Sequence, residues 1–164
     1  MKQRLSHRIV RFLRNCAGTN LIEAAIITPL LLLLSFSVVD FASIFYVYLA
    51  LENGVSVATR YAVTGQKMDD PSNPGTKLGR ADSIKLAMRQ ATPTITLPDS
   101  AFSFYNMPPG GAAWAAGTGG PGSIEKVRVD YTWNLMTPLL RPFFTNGQIL
   151  FRVESTMKNE GRFQ

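Results

Sequence analysis

The sequence predicts an α+β protein: a long N-terminal transmembrane helix extending outward, followed by a small antiparallel sheet with one short helix. Three observations carry this. Ala24 to Val39 contains no charge, and after Asp40 the apolar character resumes from Phe41 to Leu51. Residues 80–91 place Ile84, Ala87 and Met88 at helical spacing. Two later segments, 124–133 and 148–157, alternate with the period of two expected of half-buried strands. The 164 residues leave room for one membrane segment and one small domain.

The chain opens with a basic arm. Lys2, Arg4, Arg8, Arg11 and Arg14 fall in the first 14 residues, with no acid among them. A short basic segment before an apolar helix stays in the cytoplasm, so the C-terminal bulk is expected on the periplasmic side. A helix over Ala24 to Leu51 measures about 42 Å, more than the roughly 30 Å hydrocarbon core. Its first part is expected in lipid and the rest beyond it, with Tyr46 and Tyr48 near the interface. A secretory signal has a shorter apolar core and a small-x-small site after it, whereas this segment is longer and holds Asp40. Pro29 removes a backbone donor and directs its ring at the carbonyl of Ala25, giving either a kink or a loosening that neighbouring groups absorb.

Two carboxylates stand out along this helix. Glu23 lies at its mouth, five residues after Gly18, and a charge there is a functional-site candidate. A cut after Gly18 would free the amine of Thr19 close to Glu23. Buried between helices, Glu23 would pair with such an ammonium and set axial register. Solvated at the headgroups, it would only mark the helix start, with Thr19 or Asn20 as N-cap. Asp40 follows about 26 Å further along the axis. It either snorkels to the outer interface or faces a partner helix.

Beyond the span, Leu51, Val55, Ala58 and Ala62 share one helix face. Ala50, Gly54, Ala58 and Ala62 recur every four positions, a spacing that admits close approach of this chain's own sheet or of another subunit. Gly65 is a helix stop. Lys67 to Gly79 reads as a loop, and Pro93 ends the short helix. Thr94 to Tyr105 suggests one or two strands. Pro108 to Ser123 is a glycine-rich loop with Trp114 in its middle. It is not a phosphate cradle, because no Lys-Ser/Thr follows and a strand comes next. Val127, Val129, Tyr131 and Trp133 form the inward face of the first clear strand, and Phe151 and Val153 that of the last. The connection between them carries the buried-looking Leu139, Leu140, Phe143 and Phe144, and antiparallel pairing is expected.

Composition narrows the function. Removing the five leader cations from the 17 Lys and Arg leaves 12 against 11 acids, so the outer part is nearly neutral. Nucleic acid, which needs a basic face, is not expected as a partner. His7 and Cys16 are the single histidine and cysteine, and both lie in the leader. The remainder cannot build a His-based triad, a Cys-His pair or an ordinary zinc site. No catalytic, cofactor or metal residue is expected, and no enzyme.

Gly18 followed by Glu23, with a basic leader before and an apolar helix after, resembles the class III signal of type IV pilins and pseudopilins. Glu23 to Leu34 (EAAIITPLLLLL) resembles the opening of TadE-like proteins, minor pseudopilins of the tight-adherence (Flp-type) pilus system. Ala58 to Gly65 resembles that family's helix end, and Val127 to Leu140 with Met157 to Glu160 its late strand and terminus. Major Flp pilins are shorter and carry Glu-Tyr where this chain has Glu23-Ala24, which favours a minor component. The resemblance implies a pilin-like fold and processing at Gly18 and Thr19 by a prepilin peptidase. It also implies roles in assembly and register for Glu23, Pro29 and Asp40. The expected organisation is a cleaved leader over 1–18, a transmembrane helix and extension over 19–65, and a periplasmic domain over 66–164. The implied partners are the bilayer, the peptidase and other pilins or pseudopilins, in a bacterial inner-membrane protein that enters a pilus supporting surface adhesion. The competing expectation is an uncleaved bitopic protein whose outer domain is an envelope binding module.

Overall fold

The computed structural model describes residues 17–138 and 140–163; the basic leader, with His7 and Cys16, lies outside them. Helix α1 spans Ala17–Thr64 and runs unbroken through Pro29. Gly65 ends it at φ 68°, its N–H donating to the Ala62 carbonyl. The following loop is closed by an Asp69–Lys77 bridge and by Asp70, whose carboxylate accepts the Ser72 N–H at 2.8 Å. Helix α2, Arg80–Ala91, buries Ser83, Ile84, Ala87 and Met88, the face its periodicity predicts.

The segment from Thr94 to Tyr105 holds one strand, within the expectation of one or two. Only Phe102–Met107 is a strand, β1. Ile95 and Leu97 are buried but not paired in a sheet. Pro98 and a single 3₁₀ turn at Asp99–Ala101 break the extended path, and Arg89 draws it back onto α2 by donating to the Leu97 carbonyl at 2.9 Å and to Asp99. The glycine-rich stretch is also more ordered than its composition suggests. Ala115–Ala116 forms β2 against β1. A side chain at Gly119 would meet Ser123 and Asn106 at 2.8 and 2.9 Å, so glycine is required there.

Strands β3, Ile124–Asn134, and β4, Gln148–Lys158, pair antiparallel along their whole length, and the sheet order is β2-β1-β3-β4. One face of the sheet rests on the outer half of α1. The core joins Val47, Leu51, Val55 and Ala58 of α1 to Met88, Val127, Val129 and Val153. The small-residue stripe is used within the chain: a side chain at Gly54 would meet Thr92 Cγ2 at 2.5 Å, so glycine lets the end of α2 lie close.

The β3–β4 connection corrects an expectation. Leu140 is half-buried, but Phe143 and Phe144 are exposed; Leu139 lies outside the described residues. The connection continues past the last ladder pair, Asn134 with Gln148, burying Leu135 and Thr137 but leaving Met136, Phe143 and Phe144 exposed.

Candidate assembly and membrane-exit site

Helix α1 is the one helix among the described residues long and apolar enough to cross a membrane. Its most apolar stretch has a mean hydropathy of 2.2 and no buried residue. Ser35 and Ser37 would be costly in lipid if unpaired, but their hydroxyls donate to the carbonyls of Leu31 and Leu33 at 2.8 and 2.7 Å.

Gly18, Thr19 and Glu23 occupy the first turns of α1, all exposed. Thr19 and Glu23 are one helical turn apart and share a face. A side chain at Gly18 would meet nothing within 4 Å, and its φ is not positive. The fold therefore gives no steric reason for glycine at that position. Glu23 forms no ion pair among the described residues. Pro29 lies between these residues and Asp40, and the structure does not bring the three groups together.

Asp40 does not snorkel into solvent: it is 1 % exposed, and the groups its carboxylate meets belong to its own chain. The Met136 and Thr137 N–H groups donate to Oδ1 at 3.0 and 3.2 Å, and the Thr137 hydroxyl donates to Oδ2. Three donors offset the loss of hydration that an unpaired buried carboxylate would suffer. Asp40, Val47, Leu51, Ala58 and Ala62 recur at spacings of seven and four, so Asp40 begins the stripe that carries the core. It fastens the β3–β4 connection to α1 where the charge-free run ends.

A second clamp closes the opposite end of the sheet. Glu125, fully buried, accepts from Arg80 and from Asn159 Nδ2 at 3.1 Å. Arg80 also donates to the Ala62 carbonyl at 2.8 Å, and the Glu160 N–H donates to the Val63 carbonyl at 3.1 Å. Burial pushes the Glu125 carboxyl up, with the charge of Arg80 and the Asn159 amide opposing it. Burial lowers Arg80 against the pull of Glu125. Phe163 covers this clamp, its ring 4.3 Å from the Arg80 guanidinium. Sequence reasoning missed Glu125, although it shares the odd-numbered face with Val127 and Val129. A charge continuing an apolar alternation was the available signal.

Residues 18–60 match the family model described as TadE, TadE-like protein, in agreement with the resemblance read from the residues. The match begins at Gly18, takes in Glu23, Pro29 and Asp40, and ends inside α1, leaving α2 and the sheet outside it. Neither the curated proteins nor the solved structures contain a match.

Proposed function

We propose that this chain is a minor pseudopilin of a tight-adherence (Flp-type) pilus, anchored by α1 in the bacterial inner membrane with its α+β part in the periplasm. The observation that carries the reading is the family match over 18–60, which starts at a glycine the fold does not need. A prepilin peptidase cuts after Gly18 and frees the ammonium of Thr19, one turn from Glu23. A carboxylate moved into a helix bundle without a partner costs several kcal/mol. The ammonium of the same or a neighbouring subunit offsets that cost, and the pair sets the axial register of packed helices. The clamps at Asp40 and Glu125 then carry this register from α1 to the sheet. Incorporated subunits support surface adhesion.

The test uses two variants expressed in the native host. Gly18→Arg retains the leader, and its intact mass reports it. Glu23→Ala is cut normally and melts like the parent but enters sheared pili at a reduced level. Wild-type levels of Glu23→Ala in pili would remove the register role. A Gly18→Arg chain that still begins at Thr19 would remove this cut site.

A further inference from the structure

The β3–β4 connection, residues 135–147, begins at the level of Asp40 on α1, whose carboxylate it meets through Met136 and Thr137. Strand β3 runs antiparallel to α1. Its first turn of side chains meets the helix end, through Glu125, Arg80 and the Ala62 carbonyl. Its far end meets Asp40 through Met136 and Thr137. The two paths agree: Ala62 to Asp40 is about 33 Å of helix and Glu125 to Met136 about 36 Å of strand. The connection is therefore the end of the sheet directed down α1 toward its N-terminus. Counted from Ala24, just past Glu23, a core of roughly 30 Å takes about 20 residues of helix and ends near Ser43, within a turn of Asp40.

The surface of the connection matches that level. Phe143 is 76 % exposed, Met136 59 %, and Phe144 is exposed in the same connection; Phe41 and Phe45 of α1, also exposed, flank Asp40 and Ser43, the residues Met136 meets. No acid occurs from Leu135 to Gly147, and Arg141 is exposed among the aromatics. Phe side chains with a neighbouring cation suit the boundary between acyl chains and phosphate headgroups, the apolar groups entering the acyl region and the cation staying at the phosphates. In water the same surface would be an apolar patch without a partner.

We propose that Met136, Phe143 and Phe144 seat in the outer boundary of the bilayer that α1 spans, giving the sheet a second membrane contact locked to the helix by Asp40. The proposal rests on α1 being a membrane span and needs no pilus role.

The experiment uses the full chain with Cys16→Ser, reconstituted at low protein-to-lipid ratio in phosphatidylcholine–phosphatidylglycerol vesicles. A bimane is attached at one introduced cysteine: Phe143→Cys, Phe36→Cys in the span, or Trp114→Cys at the other end of the sheet. Lipids with a nitroxide near the top of the acyl chain are the quencher. Emission from position 143 is expected to be more than halved, with position 36 also quenched and position 114 unchanged. Quenching at 36 without quenching at 143 would overturn the proposal, leaving water or another protein copy over the connection. Absence of quenching at 36 would instead show that α1 is not in the bilayer and would remove the membrane reading with it. Phe143 is an exposed side chain in a turn, so its replacement leaves the core intact.

Discussion

At residue 40 a carboxylate is held by two backbone N–H groups and a hydroxyl from a segment nearly a hundred positions later. Hydrogen bonds to a charged group contribute more than neutral ones, and an orphaned buried donor is costly. Asp40→Ala is therefore expected to destabilise the chain by about 2–4 kcal/mol in detergent. Amide exchange at Met136 and Thr137 should accelerate with it, and unchanged exchange would mean the clamp is absent. The spacing of Asp40 from Val47 and Leu51 was visible in the sequence. Its partner was not, because nothing local links position 40 to Thr137. Gly54 is a second residue-scale case. Ala there would press on Thr92 and Met88, and the expected loss is about 1–3 kcal/mol, read as a lowered thermal midpoint. A Gly54→Ala chain as stable as the parent would show that α2 lies further from α1.

Strand β3 carries most of the legible architecture. Its alternation identified the inner face, and its pairing with β4 followed from a matching pattern. What alternation left unread was the buried charge at its start. Glu125→Ala removes one partner of a buried pair and leaves Arg80 uncompensated, with an expected loss of about 3–5 kcal/mol by chemical denaturation. A loss below that of a surface substitution would contradict the clamp. The outer face makes a pH prediction. Arg128 and Arg152 donate to Asp130 and hold its carboxyl below the usual range. The unfolded chain therefore takes up that proton first as pH falls. The stability this group contributes is full above the ordinary aspartate value and is lost as pH falls through its depressed one. Asp130→Asn should flatten the acid side of the melting profile, and an unaltered slope would contradict the pairing. The segment around Pro98 resisted reading because its course depends on capture by Arg89. Phe143 and Phe144 resisted it because hydrophobicity alone does not distinguish a side chain covered by the chain's own core from one left exposed.

On the scale of the whole molecule, α1 does two jobs divided at Asp40. The half before it is exposed and apolar, and the half after it is the spine on which the sheet is built. That division was legible as a charge-free run followed by a stripe of Leu51, Val55, Ala58 and Ala62. The two clamps that fasten the sheet at both ends were legible only in pieces, since each joins residues far apart in the chain. In the proposed function, cleavage gives the apolar half its role, because a new amine beside Glu23 would supply a partner for its carboxylate in a helix bundle. The direct measurement is the N-terminal residue of the protein isolated from its native membrane, by intact mass and terminal peptide sequencing. The account predicts a chain beginning at Thr19. A chain beginning at Met1, with Cys16 still present, would contradict it and favour the competing reading of an uncleaved bitopic protein.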